Sequence, residues 1–274
     1  MRRLKTVLLA WVALSFLGCG REYREDLDYS YDIVQTWPME QVNFGDLVQF
    51  ETVPFDLDET DTLRNLILDD SIAANRSVLE VGTGTGLIAI MCQQNDASRV
   101  VAIDCNPAAV ANARYNAAVL DSEANLEVRL TGSDQDLLSA VAPQEKFDLV
   151  IVNVPETSRS NLPDPRKSKA AKFDAAIENG NADSNDVWRD AMLQKLNLHL
   201  AIGGRCLVVC SNKQAITRLI DAAKRYDHQT KVLDSRNWES IEREVRPSVV
   251  VEIRVAAKAE IVADGEFVSP ASAQ

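Results

Sequence analysis

The chain reads as a doubly wound α/β fold, one sheet with helices on both faces. Three observations predict it. From residue 60 onward, short apolar runs alternate with amphipathic ones, as strands and helices do along a mostly parallel sheet. Phe147–Val152 is almost continuously apolar, as a strand buried on both faces must be. Residues 78–86, Val-Leu-Glu-Val-Gly-Thr-Gly-Thr-Gly, carry an apolar run into an acid and three alternate glycines. The amphipathic run Leu87–Gln93 follows at once, so this stretch is a strand, a tight turn and a helix start.

Each element follows from local pattern. Residues 20–50 are polar and aromatic, with Tyr23, Tyr29, Tyr31 and Trp37 and weak periodicity. They read as a linker and an N-terminal extension of a domain spanning 51–256. Thr60–Asp70 is a helix, with Leu63, Leu66 and Ile67 at helical spacing. Ser77–Val81 is a strand and Gly86–Gln94 a helix. Arg99–Ile103 is a strand ending at Asp104. Pro107–Leu120 is a helix with proline in its first turn. Leu126–Leu130 is a strand, Asp134–Val141 a short helix and Phe147–Val152 a central strand. Residues 155–184, rich in Pro, Ser, Asn, Asp and Lys, form a long irregular insertion of the kind that is usually functional or mobile. Asn185–Leu200 is a helix, and Gly203-Gly204 turns into strand Arg205–Cys210. Lys213–Arg225 is a helix, and Thr230–Leu233 and Ser248–Val255 complete seven strands. Residues 257–274 read as a loose tail. No internal repeat is present.

Composition narrows the function. With 274 residues and 46% hydrophobic content the chain has room for one domain with a full core. Its net charge of −12 lacks the footprint of a general nucleic-acid binder. The one dense cationic run, Arg159–Lys172, reads as a solvated loop. Cys92, Cys105, Cys206 and Cys210 show neither a C-x-x-C pair nor zinc-like spacing and read as buried thiols. With only His199 and His228, a histidine triad or metal site has little to draw on. Arg2, Arg3 and Lys5 precede the apolar run Val7–Leu17, and Gly18-Cys19 follow. Residues 1–19 thus read as an export signal, too short to span a bilayer comfortably. Phe16-Leu17-Gly18-Cys19 resembles a bacterial lipobox, with Cys19 bearing the lipid and anchoring the protein to a membrane. Cleavage before Cys19 would move the net charge from −12 to −15. If the chain instead starts internally, at Met39 for example, it is cytoplasmic.

Ligands of such sheets bind at the carboxyl ends of the strands. The first strand delivers Glu80 and the turn Gly82, Thr83, Gly84 and Gly86. Bare backbone there admits a ligand where any Cβ would intrude. Glu80 would repel a phosphate and suits a cationic ligand. The second strand delivers Asp104, 22 residues after Gly82 and suited to ribose hydroxyls, with Cys105 beside it. After the third strand, Asp134 lies where an adenine amino group could be read. The fourth delivers Asn153-Val154-Pro155-Glu156. A nicotinamide dinucleotide motif would need glycine at position 87, which is Leu87.

The acid and G-x-G-x-G resemble the first motif of the class I S-adenosylmethionine-dependent methyltransferases. Phe147–Glu156 resembles the FDLIVxNPPY segment of their small-domain members. These include enzymes that methylate the glutamine amide of peptide release factors and relatives acting on exocyclic amines of RNA bases. Pro54–Leu63 resembles the P-R-P-x-T-E-x-L segment, with Glu59, Thr60, Asp61 and Leu63 in place. Asp186–Val208 resembles the family's helix, Gly-Gly turn and fifth strand, and the likeness spans roughly residues 50–255.

The resemblance implies a seven-stranded, mostly parallel, Rossmann-like sheet in a single domain, with S-adenosyl-L-methionine as cofactor. Glu80, Gly82, Thr83, Gly84, Gly86, Asp104, Cys105, Asp134 and Asn153 would hold it. It assigns catalysis to Asn153–Glu156: the Asn153 side chain and the Val154 carbonyl hold the acceptor N–H groups, and Pro155 stiffens the turn. Glu156 stands where the family stacks an aromatic ring, and a carboxylate there suits a cationic amine or a general base. The acceptor implied is a protein side-chain amide or amine. The alternatives are an exported, catalytically impaired binding module on this fold and methylation of an RNA base. No oligomeric state is implied.

Overall fold

The seven apolar runs become the strands of one sheet. The computed structural model describes residues 24–39, 45–132, 137–154, 184–234 and 244–255, with 184–187 and 244–246 described by backbone alone. Two short strands come first, β1 (Ile33–Pro38) and β2 (Asp46–Phe50), paired antiparallel. The main sheet is built from β3 (Ser77–Val81), β4 (Arg99–Asp104), β5 (Leu126–Leu130), β6 (Phe147–Val152), β7 (Leu200–Asn212), β8 (Gln229–Leu233) and β9 (Glu244–Arg254). Their order is β5-β4-β3-β6-β7-β9-β8. All neighbours are parallel except β9, which lies antiparallel between β7 and β8.

Alternation of side chains along each strand divides the core into two layers. Val78, Val100, Ala102, Leu149, Ile151, Leu207 and Val250 face helices α1 (Asp61–Leu68) and α2 (Leu87–Gln94), where Leu63, Ile67, Ile88 and Met91 close the layer. Leu79, Val81, Val101, Ile103, Val150, Val152 and Val208 face α4 (Ser184–His199) and α5 (Lys213–Arg225). Helix α3 (Pro107–Val119) lies on the α2 side, and its other flank carries the β1–β2 pair. The fold is therefore the doubly wound, seven-stranded sheet expected. Among the described residues no helix is long and apolar enough to cross a membrane.

The structure departs from the sequence reading at four places. Residues 33–50, expected as linker and extension, contain the β1–β2 pair. Strand β1 is mostly exposed and β2 almost wholly buried, so neither shows an alternating pattern. The described end of the expected helix Asp134–Val141 forms turns instead. There the Thr131 hydroxyl donates to the Leu137 carbonyl at 2.6 Å and the Ser139 hydroxyl accepts the Gly132 N–H at 2.8 Å, tying the segment back to the end of β5. Strand β7 begins at Leu200, opposite Phe147, and pairing resumes at Arg205 after the excursion through Gly203 and Gly204. Cys92, Cys206 and Cys210 are buried, but Cys105 is only half-buried, because it follows β4 at the open edge of the sheet. Residues 1–19, 155–183 and 257–274 lie outside the described residues.

An ion-pair network ties β4 and β5 to the segment that leads into β6. Glu145 accepts from Arg129 Nη1 at 2.8 Å, from Arg99 and from the Ala142 N–H at 2.8 Å. Arg129 leads in pulling the Glu145 carboxyl down to about 2, against a desolvation that acts the other way. A carboxyl lowered on folding stabilises the fold above its unfolded pKa, and that contribution is lost as pH falls through its folded value. Glu145→Gln should cost roughly 2 kcal/mol at pH 7. In denaturant titrations that deficit should shrink between pH 4.5 and pH 2.

Candidate active site

The strand order reverses at the boundary between β3 and β6. Strands β4 and β5 extend to one side of it and β7 to the other. Such a switch point opens a crevice at the carboxyl ends of its strands. Gly82 and Asn153 meet there. Asn153 donates its N–H to the Val81 carbonyl at 3.0 Å, carrying the β3–β6 ladder one step past the strands. A Cβ on Gly82 would lie 2.7 Å from the Asn153 carbonyl oxygen and 3.1 Å from Val154 Cγ2. Gly82 also has φ of 81°, in the left-handed region. Only glycine satisfies both constraints.

The turn is held by backbone. Gly82 and Thr83 N–H groups donate to the Ile103 carbonyl at 2.9 and 3.2 Å, and Gly86 N–H donates to the Thr83 carbonyl at 2.8 Å. A Cβ on Gly86 would lie 2.9 Å from the Ala113 Cα, so this glycine lets α3 close on the turn. From β4, Asp104 Oδ2 accepts the Gly84 N–H at 3.0 Å and Oδ1 accepts the Asn106 N–H at 2.9 Å. Two backbone donors thus fix that carboxylate's orientation beside the turn.

Glu80 lies under the turn, only 1% exposed. Its Oε2 accepts the Thr83 hydroxyl at 2.7 Å. Oε1 is buried with no hydrogen bond of normal geometry, although the Ala89 N–H in the first turn of α2 is near enough to favour the charged form weakly. Burial pushes the Glu80 carboxyl up to about 8. The Thr83 hydroxyl opposes this shift, and the negative Asp104 adds to it. The structure therefore buries Glu80 under the turn, where it holds the Thr83 hydroxyl.

Asn153 and Val154 are half-buried at the end of β6, and half-buried Cys105 adjoins Asp104. Glu80, Gly82, Thr83, Gly84, Gly86, Asp104, Cys105, Asn153 and Val154 thus gather at one edge of the sheet. Asp134, Pro155, Glu156 and Cys19 lie outside the described residues.

Three asparagines of α3 complete the site's frame, and sequence reading passed over them. Asn106 caps α3, its side chain accepting from Ala108 N–H at 2.9 Å, and donates to the Thr52 carbonyl at 3.0 Å. Asn112 accepts the Phe50 N–H and donates to the Val48 carbonyl. Asn116 accepts the Val48 N–H and donates to the carbonyls of Val48 and Thr85. The Asn-Pro step at 106–107 is a helix-start signal, and Asn112 and Asn116 stand four apart on one helix face. Those were the available signs.

The bare glycine backbone, the fixed carboxylate of Asp104 and the orphaned Glu80 oxygen fit a cofactor with a ribose and a cationic end. Comparison with known proteins agrees. A protein from Methanocaldococcus jannaschii, named as a protein N5-glutamine methyltransferase, is 30% identical over 149 residues, covering 53% of this chain and 68% of that one. The chain belongs to the class I methyltransferases. The family model described as ribosomal protein L11 methyltransferase (PrmA) matches residues 59–162. A release factor glutamine methyltransferase from Cereibacter sphaeroides is 33% identical over 172 residues, 60% of this chain and 57% of that one. Among solved structures, a ribosomal protein L11 methylase from Lactobacillus delbrueckii subsp. bulgaricus aligns over 73% of this chain and 80% of its own, at 18% identity and a TM-score of 0.49. The methyl donor of this methyltransferase is S-adenosylmethionine.

Gly82→Ala should weaken S-adenosylmethionine binding at least tenfold by calorimetry, that is by about 1.4 kcal/mol or more. A Cβ on Gly84 would meet nothing nearer than the Pro54 carbonyl oxygen at 3.7 Å. Gly84→Ala, strained only by its φ of 54°, should therefore lose less.

Proposed function

We propose that this methyltransferase moves the methyl group of S-adenosylmethionine to a side-chain nitrogen of a protein acceptor, an amide of the glutamine type. The observation that carries the reading is the contact of Gly82 with Asn153. It holds the one polar side chain described at the end of β6 beside the turn that receives the methyl donor. The sulfonium of the cofactor, when bound, supplies an activated methyl group. The chain's own work is alignment and exclusion of water.

An amide nitrogen is a poor nucleophile because its lone pair is delocalised. In this reading the Asn153 side-chain oxygen and the Val154 carbonyl accept the two acceptor N–H groups. They hold the nitrogen in line and stabilise positive charge as it builds there. A C–N bond forms as the methyl–sulfur bond breaks, its electron pair staying on sulfur, and one N–H proton passes to solvent. A second reading, transfer to a protein amine, is favoured by Glu156, whose carboxylate suits a cationic amine and could take its proton. The net charge of −12 weighs against an RNA base as acceptor. The intact Glu80, glycine and Asp104 set weighs against an inert binding module.

We also propose that a lipid on Cys19 anchors the protein to a membrane. Support comes from Arg2, Arg3 and Lys5, the apolar run and Phe16-Leu17-Gly18-Cys19. Palmitate should label the wild type and fail to label Cys19→Ser. An unlabelled, soluble wild type would refute the anchor.

Asn153→Ala should abolish methyl transfer to a glutamine-bearing protein while leaving cofactor affinity within about threefold, roughly 0.7 kcal/mol. Turnover at the wild-type rate would move the acceptor site elsewhere.

A further inference from the structure

Glu80 combines three features that no bracing role requires. It is 1% exposed, one of its oxygens has no hydrogen bond of normal geometry, and a second carboxylate stands close by. Its surroundings are otherwise apolar or neutral. In register, β4 sets Ala102 beside it and β6 sets Ile151. The titratable groups that face it are Asp104 from the end of β4 and the Cys92 thiol from α2, itself pushed well up by burial and by Glu80. The turn contributes only the Thr83 hydroxyl, and α2 the weakly acting Ala89 N–H. Among the described residues no cation pairs with Glu80.

A buried carboxylate with one hydroxyl donor, one weak amide and a like charge nearby is poorly compensated. Such a group takes up a proton instead of keeping its charge. The methyl donor is itself a cation, with a sulfonium and an ammonium, and the turn whose Thr83 is bonded to Glu80 would hold it.

We propose that Glu80 is protonated in the free protein and gives up that proton when S-adenosylmethionine binds, so that cofactor capture releases a proton from beneath the glycine turn. Glu80 then acts as a positioning residue whose charge appears only when a cation is there to meet it. The Thr83 hydroxyl donates to Oε2, and the new charge tightens that bond and draws the turn down. An opposite charge within about 4–6 Å lowers a carboxyl's proton affinity roughly 10- to 1,000-fold. The value of about 8 in the free protein would then fall to neutrality or below. The proton passes to solvent and no covalent bond changes. The inference rests on S-adenosylmethionine as cofactor and not on which acceptor is methylated.

The test is isothermal calorimetry of the full chain with S-adenosylmethionine at pH 7, in phosphate and in Tris, whose ionisation enthalpies differ. The apparent enthalpy should depend on the buffer and give about 0.4 to 0.9 proton released per cofactor bound. Apparent affinity should rise as pH goes from 6 to 8. Glu80→Gln should bind with about 0.1 proton or fewer released and with little dependence on pH. Isotope-edited infrared spectra of the free protein give a readout independent of binding. A protonated glutamate carbonyl band should be present at pH 7 and absent from Glu80→Gln. Binding without buffer dependence overturns the proposal and leaves the cofactor intact. Wild-type proton release by Glu80→Gln, or a free-protein spectrum showing Glu80 ionised at pH 7, overturns it equally. No binding in either buffer overturns the cofactor and the proposal with it.

Discussion

The close approach of the Asn153 carbonyl to Gly82 is the constraint on which the site depends. Two strand ends of a parallel sheet lie one ladder spacing apart, and their loops normally diverge to clear each other's side chains. Here the missing Cβ at Gly82 lets the β6 loop lie against the β3 turn, and Asn153 N–H extends the ladder to Val81. The β3 turn and the end of β6 are thus registered through backbone atoms, independently of the Asn153 and Val154 side chains.

A second set of contacts fixes the turn from the opposite side. Strand β2 presents an edge that no third strand covers among the described residues. Asn112 and Asn116 satisfy it instead, giving Val48 and Phe50 the hydrogen bonds that a neighbouring strand would supply. Open strand edges are commonly blunted by charge or covered by another element. Fully buried asparagines do it here, and each bond they make removes a desolvation penalty of about 1–3 kcal/mol. Asn116 also holds the Thr85 carbonyl, so the β1–β2 pair, α3 and the glycine turn share one polar network. At its far end Asn106 grips Thr52, whose φ of 63° is unusual for a β-branched residue. That conformation turns the chain out of β2 and lays Val53 and Pro54 across Gly84.

These two sets of contacts differ in how plainly the sequence shows them. The seven main strands were legible because strands buried on both faces leave unbroken apolar runs, and Phe147–Val152 is the clearest. The glycine turn was legible because alternate glycines beside an acid have few other uses. The β1–β2 pair was not. Its stabilising partners are asparagines on a helix, and in sequence a polar residue on a helix looks solvated whether it faces water or a strand edge. The position of Glu80 was half legible. Its chemistry pointed to a cation, but residue alternation along β3 sends it to the buried α2 layer with Val78.

Burial of Glu80 separates two electrostatic scales in this protein. Charge on the open surface is screened within about 8–10 Å at physiological salt, so the net −12 does little inside the crevice. Asp104 and Glu80 act there at short range and with little screening. The acceptor meets the other scale. A protein substrate contacts a surface much wider than a screening length, and its approach is governed by the summed charge of both partners. A net negative chain therefore meets neutral or basic partners more readily than RNA. On the proposed reading, cofactor choice is written into the strand ends, and acceptor choice is shared between one loop and the field of the whole surface.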